Sequence, residues 1–182
     1  ILPIPTGVSI AAIMPVDIPE EDWENVQIIF ATSAGDVRRN ALSDFTNVRA
    51  NGKIAMDLPD NVALVNARIA TQDDDVMLVT KSGRAIRFST NAVRVFKGRK
   101  STGVRGVRLT GDDCVVSMSI LRHFEASSDE RAAYLKMRRA VAGMVDDEGA
   151  GTEDEEVSAN ATISPERYAE MSAAENLILT IS

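Results

Sequence analysis

The sequence contains one cysteine and one histidine, and aromatic residues make up only 4% of its 182 positions. A single thiol, Cys114, cannot form a disulfide within the chain. A single imidazole, His123, offers no second histidine for a metal site or a catalytic triad. No apolar run approaches the roughly 20 residues that cross a bilayer, and no signal peptide precedes Ile1. We therefore expect a cytoplasmic chain with no membrane span.

The composition that is present is that of a globular protein, with 45% hydrophobic and 26% charged residues. The charges are distributed unevenly. Residues 1–30 contain five acids and no bases, residues 31–109 fourteen bases and seven acids, and residues 110–182 six bases and fifteen acids. The central part is therefore basic within a chain of net charge −7. Such segregation is typical of a nucleic-acid-binding surface.

The basic part of the chain also contains an internal repeat. Ile28–Gly35 matches Val76–Gly83 at an offset of 48 residues, and Arg39 and Arg87 keep that offset. After a three-residue insertion the offset becomes 51. A period near about 50 residues with short β-rich runs predicts propeller-like blades. We expect a mainly β fold with about two such blades.

Each repeat is predicted to consist of antiparallel strands. A first apolar strand, at 26–31 or 76–80, ends in a turn where Gly35 or Gly83 can supply a positive φ. The chain then returns, and alternation places Arg39 and Arg87 at equivalent positions that we expect to be outer and exposed. The remaining strands are predicted at 36–40, 52–56, 62–69, 84–89, 103–109 and 114–121.

Residues 122–176 interrupt the β pattern. Ser127 with Glu130 three residues later forms a capping box, and Ser164 followed by Pro165 is a second helix start. The stretch between the two helices is acidic and is predicted to be a mobile loop. The predicted helices span 131–142 and 164–174, and the predicted loop spans 145–161.

Three segments follow from these patterns. Residues 1–121 are predicted to form the β blades, and residues 122–176 a helical and acidic insertion. Residues 177–182 resemble the first strand of the repeat. They are therefore predicted to begin a further blade.

A resemblance to a known family is carried by four runs: 30–39, 43–45, 75–80 and, above all, 101–109, which reads Ser-Thr-Gly-Val-Arg-Gly-Val-Arg-Leu. These runs resemble the C-terminal domain of the bacterial DNA gyrase A protein. The similarity covers nearly all of residues 1–121 and the last few residues. In that family the domain is a β-pinwheel, a propeller relative whose neighbouring blades exchange strands, and DNA wraps around its basic outer rim. The resemblance implies about two blades of a β-pinwheel with a helical insertion.

The resemblance also implies a function. The chain would be a DNA-binding and DNA-wrapping part of the gyrase A protein, supporting ATP-dependent negative supercoiling by an A2B2 holoenzyme formed with the gyrase B protein. It would not be an enzyme by itself, because the catalytic residues lie in other parts of that topoisomerase. No cofactor is implied in this chain, since ATP and Mg belong to partner regions of the holoenzyme.

The sequence departs from the family pattern in two respects, and there are two alternative assignments of the chain. The family's Gln-Arg-Arg-Gly-Gly-Lys-Gly box is absent from this chain and is expected upstream of Ile1, and the insertion is not part of the common pattern. The alternatives are the corresponding domain of topoisomerase IV and a propeller scaffold that binds proteins.

The candidate DNA contacts are basic residues of the two repeats, because Lys and Arg neutralise phosphates and release counterions. For any one of them, a solvated position on an exposed strand is the alternative interpretation. No catalytic or metal-binding residue is predicted, since Tyr134 and Tyr168 fall in predicted helices where aromatic packing accounts for them. The candidates are Arg38, Arg39, Arg84, Arg87, Lys97, Arg99, Lys100, Arg105 and Arg108.

The insertion has a hypothesis of its own. An acidic segment tied to a basic surface has a high effective concentration there, so we expect it to compete with DNA. Alternatively, the insertion could lie on the protein surface without competing with DNA. Its helices could also contact DNA themselves, through Arg131, Lys136, Arg138 and Arg139.

Overall fold

The computed structural model describes residues 7, 10–46, 52–98, 100–143, 162–177 and 179. The chain divides into two compact units, Ile1–His123 and Phe124–Ser182. Within the described ranges, no helix has the length and hydropathy needed to span a membrane. The same residues contain no group of three or more His, Cys, Asp or Glu side chains that could hold a metal ion.

The first sheet is built on a hairpin of β1 (Gln27–Thr32) and β2 (Asp36–Ala41). Gly35 in the connecting turn has a φ of 87°, a conformation that costs glycine little because it has no Cβ. The free edge of β1 pairs antiparallel with β3 (Leu64–Ala70). The predicted turn and these three strands are confirmed, with boundaries shifted by one or two residues.

The second repeat forms a corresponding hairpin of β4 (Asp74–Thr80) and β5 (Ala85–Ser89). Gly83 takes the place of Gly35, with a φ of 83°. The strand β5 is followed by a single 3-10 turn, Thr90–Ala92, in which the Ser89 side chain accepts a hydrogen bond from the Asn91 amide. The repeat seen in the sequence is therefore also a repeat of local structure.

The next two strands belong to different sheets. The short strand β6 (Val104–Arg105) pairs with β2 of the first repeat, whereas β7 (Val115–Arg122) pairs with β4. The sheet orders are β3-β1-β2-β6 and β5-β4-β7. A strand of the second repeat thus completes the sheet of the first, which is the strand exchange of a β-pinwheel.

Two predicted strands differ from the structure. No strand forms at 52–56, where Ile54 is 74% exposed and only Met56 reaches the core. The strand predicted at 103–109 is limited to β6. It ends there because the amides of Gly106 and Val107 both turn to the carbonyl oxygen of Gly35 and leave the ladder.

The two sheets share one hydrophobic core. Ile29 and Val37 of the first sheet pack with Val76, Leu78 and Val115 of the second, and all five are at most 2% exposed. Each such side chain contributes about 1.5–3 kcal/mol by leaving water. The two repeats therefore stabilise each other and are not independent folding units.

The second unit contains α1 (Ser128–Val141) and α2 (Pro165–Ala173). Ser127 and Glu130 form the predicted capping box, and Ser164 caps α2 by accepting a hydrogen bond from the Arg167 amide. Both predicted helices are confirmed. The predicted loop at 145–161 and residues 178 and 180–182 of the predicted final strand lie outside the described residues.

The two tyrosines of this unit lie on the helices as predicted and pack against each other. The ring centroids of Tyr134 and Tyr168 are 5.2 Å apart, and the Tyr134 hydroxyl donates to the Glu175 carboxylate at 2.9 Å. Burial and this acceptor raise the pKa of Tyr134 above its ordinary value.

Candidate nucleic-acid interface

The strongest concentration of exposed positive charge in the first unit follows the 3-10 turn after β5. We call residues 94–98 and 100–108 the basic segment; it includes β6 on the outer edge of the first sheet. Between Asp75 and Asp112 the sequence contains nine Lys or Arg residues and no acid. The exposed cations of the basic segment are Arg94, Lys97, Lys100, Arg105 and Arg108.

The beginning of the basic segment is bound to β2 through Phe96. The Phe96 amide donates to the carbonyl oxygen of Arg39 at 2.8 Å, and its carbonyl oxygen accepts from Asn40 Nδ2, also at 2.8 Å. Phe96 is 7% exposed and Asn40 is fully buried. Asn40 therefore acts as a positioning residue for the segment.

Arg39 forms hydrogen bonds with the 3-10 turn, Thr90–Ala92, and with the residue after it, just before the basic segment. Its Nη1 donates to the carbonyl oxygens of Thr90 at 2.8 Å and Val93 at 3.2 Å, and to Asn91 Oδ1 at 3.2 Å. Its Nη2 donates to Gln27 Oε1 at 3.2 Å. One guanidinium thus joins the first sheet to the second repeat.

Arg38 holds the middle of the segment from a fully buried position. Its Nε donates to Asn40 Oδ1 at 2.8 Å, and its Nη1 donates to both the carbonyl oxygen and the Oγ of Ser101. The Arg38 Cζ also lies 4.9 Å from the Phe96 ring centroid, and the Cζ of Arg94 lies 4.1 Å from it. Cation–π attraction thus links the Phe96 ring both to the buried guanidinium of Arg38 and to the exposed guanidinium of Arg94.

The electrostatics agree with this internal role. Burial lowers the pKa of Arg38, while nearby Asp44 raises it and Arg94 lowers it further. Burial also lowers the pKa of Arg39. Both groups remain charged at neutral pH. Two of their nitrogen atoms, Arg38 Nη2 and Arg39 Nε, are buried with no hydrogen-bond partner in the described part of the chain.

The expectation that Arg39 is exposed is therefore wrong, and Arg38, another candidate DNA contact, is also buried. Both lie on β2, an inner strand of the first sheet. The chain at Val95 and Phe96 lies against β2 at Arg39, and β6 pairs with β2 only at Asp36 and Val37. Arg87, the repeat-related partner of Arg39, is on the edge strand β5; its side chain is 42% exposed, and its Nε pairs with Asp75 at 2.7 Å. Equivalent sequence positions thus have different environments.

The other candidates divide into three groups. Lys97, Lys100, Arg105 and Arg108 are exposed and lie together in the basic segment, Arg84 and Arg87 are exposed on or beside β5, and Arg99 lies outside the described residues. Sequence reasoning missed Arg94. The signal was available, because Arg94 belongs to the acid-free stretch and stands two residues before an aromatic side chain.

Two glycines explain the spacing of the Thr-Gly-Val-Arg-Gly-Val run. Gly103 has a φ of 111°, and a Cβ there would lie 2.3 Å from the carbonyl oxygen of Val37. A Cβ on Gly106 would lie 2.5 Å from Val37 Cγ2 and 3.0 Å from a methyl of Leu78. The segment can approach β2 only because both side chains are absent.

Paired antiparallel sheets that share a core and exchange an outer strand define a protein of the β-propeller type. A family model described as the DNA gyrase C-terminal domain, a β-propeller, matches residues 27–71 and 74–122. The chain belongs to this DNA gyrase C-terminal domain family.

Relatives support the same assignment over a greater length. The DNA gyrase A protein of Granulibacter bethesdensis is 45% identical over 183 residues, which is 95% of this chain and 20% of that protein. The Rickettsia bellii protein of the same name is 38% identical over 186 residues, 100% of this chain and 20% of its own length. The crystal structure of the C-terminal domain of DNA topoisomerase IV shares the fold, with a TM-score of 0.52 and 24% identity over 64% of this chain and 34% of that one. The chain spans about a fifth of the length of these gyrase relatives.

Proposed function

We propose that this chain is a DNA-binding and DNA-wrapping part of a DNA gyrase A protein. Its family membership supports the proposal, and the observation that carries it is the basic segment. Five exposed cations lie on or beside one outer sheet edge, in a stretch of sequence that contains no acid. Duplex DNA is a polyanion that such a surface attracts.

Binding of this kind depends on phosphates and not on base sequence. Each neutralised phosphate releases condensed counterions, so the log of the affinity falls by about 0.9 per contact for each log unit of salt. The buried guanidiniums of Arg38 and Arg39 hold the segment against β2. Because the segment is already ordered in the folded chain, less conformational entropy is lost when DNA binds.

Wrapping requires contacts of this kind along a curved surface. The elastic cost of bending DNA is then offset by the additional backbone contacts that the bend allows. A wrap of fixed handedness would present one DNA segment to a cleavage gate in one crossing sense. Strand passage would then change the linking number in one direction, giving negative supercoiling.

The proposal divides the work among parts of the holoenzyme. This chain supplies DNA contact and curvature and is catalytically silent. DNA cleavage, and ATP hydrolysis with its Mg, belong to the remainder of the gyrase A protein and to the gyrase B protein in a cytoplasmic A2B2 assembly.

The test is duplex binding by the 182-residue chain, measured by fluorescence anisotropy over a range of salt concentrations. The wild type should bind mixed-sequence DNA with a steep salt dependence. The double variant Lys97→Gln/Lys100→Gln should lose about 2 units of the log–log slope, since two phosphate contacts are removed.

A matched control removes the same charge elsewhere. Arg68→Gln/Lys81→Gln changes two exposed cations outside the basic segment and should keep the wild-type slope. Wild-type binding that does not respond to salt would refute the proposal, and equal losses in the two double variants would show that the basic segment has no special role.

A further inference from the structure

A second basic surface lies in the acidic half of the chain. From residue 124 to residue 182 the sequence contains thirteen acids and five bases, and four of the five bases are on α1. No acid occurs from Arg131 to Val145. Within this acidic region the positive charges are therefore concentrated on α1. The four bases are Arg131, Lys136, Arg138 and Arg139.

Three of these bases share the exposed side of the helix. Ala133 and Tyr134, each 6% exposed, form the buried side of α1. At about 100° per residue, Arg131, Lys136 and Arg139 lie on the remaining arc. Arg138, four residues after Tyr134, lies only about 40° from that side chain. All four are exposed, as is Leu135 among them at 46%.

Interactions within the unit account for only some of the cations. Arg138 pairs with Glu175 at 3.1 Å, and Arg167 of α2 pairs with Glu130 at 2.8 Å and Glu170 at 3.0 Å. Arg138 is thus engaged within the unit, although part of its side chain is exposed. The three other cations of α1 need a different explanation.

The helix dipole does not supply that explanation. It favours cations in the last turn, which covers Arg139. Arg131 lies in the first turn, where the dipole disfavours a cation, and its one described side-chain hydrogen bond is from Nη1 to the Ala126 carbonyl oxygen at 2.9 Å. Lys136 lies mid-helix. Among the described residues, neither Lys136 nor Arg139 has an ion pair or side-chain hydrogen bond.

We propose that Arg131, Lys136 and Arg139 form an accessory contact surface for the phosphate backbone of duplex DNA, which we call the α1 face. Its ends, Arg131 and Arg139, are eight residue steps apart, which is about 12 Å along the helix. Duplex DNA presents one charge per about 1.7 Å of its axis, so several phosphates fall within that span. This inference rests on the proposed function and adds a contact from outside the β blades.

The make-up of the face favours DNA over a protein partner. The centre of a protein interface is typically apolar and aromatic and depleted of Lys. The α1 face has three cations around a single exposed apolar side chain, Leu135. A polyanion therefore complements it better than a protein surface does.

The experiment repeats the anisotropy measurement with the triple variant Arg131→Gln/Lys136→Gln/Arg139→Gln in the 182-residue chain. Glutamine keeps a helix propensity close to that of Lys and Arg, and circular dichroism checks that the helix persists. The log–log salt slope should fall by about 2–3 units, and affinity at low salt by about tenfold or more.

Two controls separate charge from shape. Arg131→Lys/Arg139→Lys keeps the charges and should keep the slope. Leu135→Gln changes the same face without changing charge and should leave the slope unaltered. A loss of slope in Leu135→Gln as large as that of the triple variant would contradict a phosphate contact.

The outcomes distinguish this inference from the proposed function. If the wild type binds with a steep salt slope and the triple variant binds identically, the α1 face is not a DNA contact, and the proposed function stands. If the wild type shows no salt-dependent binding, both are wrong. If only the triple variant and not the conservative variant loses slope, the α1 face is established.

Discussion

Arg39 and Arg87 show how strongly the role of a side chain depends on its neighbours. The Arg39 guanidinium donates to main-chain carbonyls of the second repeat, whereas the Arg87 guanidinium pairs with Asp75 and is partly in solvent. Gln27 occupies the position in the first repeat that Asp75 occupies in the second. The shared pattern is an Arg with a hydrogen-bond acceptor on the preceding strand. The difference is that the chain at residues 90–96 lies against Arg39, whereas β5, which carries Arg87, is an edge strand.

At the residue scale, Arg39→Ala should lower the free energy of unfolding by about 2–4 kcal/mol, because the carbonyl oxygens of Thr90 and Val93 lose buried donors. Arg84→Ala is the control, since Arg84 is exposed and its side chain makes one hydrogen bond within the described residues, at 3.3 Å to Thr110 Oγ1. It should cost about 0.5 kcal/mol or less. Urea unfolding followed by circular dichroism measures both values. Similar small losses in the two variants would show that Arg39 does not hold the turn.

At the element scale, β6 and the chain on either side of it connect fold and function. Only two residues of this strand pair with β2, so the segment depends on other contacts: the buried side chains of Arg38 and Asn40, and the close approach at Gly103 and Gly106. The same segment carries the exposed cations. Loosening it should therefore affect DNA binding as well as stability.

The prediction at this scale is that Gly106→Ala lowers the free energy of unfolding by about 1–3 kcal/mol, the usual cost of overpacking. The added Cβ would lie 2.5 Å from Val37 Cγ2. Gly98→Ala is the matched control, because nothing lies within 4 Å of a Cβ there. Thermal unfolding, with hydrogen exchange at the Val104 amide, measures the effect. Equal stability of the two variants would mean that the segment moves aside without cost.

At the scale of the whole molecule, the first unit is close to neutral but has its bases concentrated in residues 31–109, and the second unit is acidic. The acids of the second unit are concentrated in residues 145–161, which contain seven acids and no base, whereas its bases are concentrated on α1. Deleting the entire insertion would remove both at once. Changing the acidic stretch alone therefore tests competition with DNA more cleanly.

We predict that an uncharged Gly/Ser linker of the same length in place of residues 145–161 tightens duplex binding at low salt. The advantage should disappear at high salt, because screening weakens repulsion between the tethered acids and the phosphates. A scrambled stretch that keeps the seven acids is the control and should bind as the wild type does. Fluorescence anisotropy titrations at a low and a high salt concentration measure the duplex affinities of the linker variant and the control. Unchanged affinity at both would leave the stretch without influence on DNA.

Local structure in this chain could be predicted because its determinants lie close together in sequence. The glycine turns of both hairpins, the capping box at Ser127 and the Pro at the start of α2 each need only a few neighbouring residues. The repeat likewise predicted two related β units. The charge distribution identified the basic half of the chain, and with it most of the residues of the basic segment.

The roles of individual arginines were decided by tertiary structure. Arg38 forms a hydrogen bond with Ser101, which is 63 residues away in the sequence. Arg39 donates to main-chain carbonyl oxygens of the following repeat. No local sequence pattern indicates such contacts. Alternation along β2 predicts which residues share a face, but whether that face meets water depends on chain segments that pack against it from elsewhere in the sequence. The sequence by itself therefore determined the two hairpins, the two helices and the part of the chain in which positive charge is concentrated. Only the packing of one repeat against the next decided which cations are buried as anchors and which are exposed to solvent.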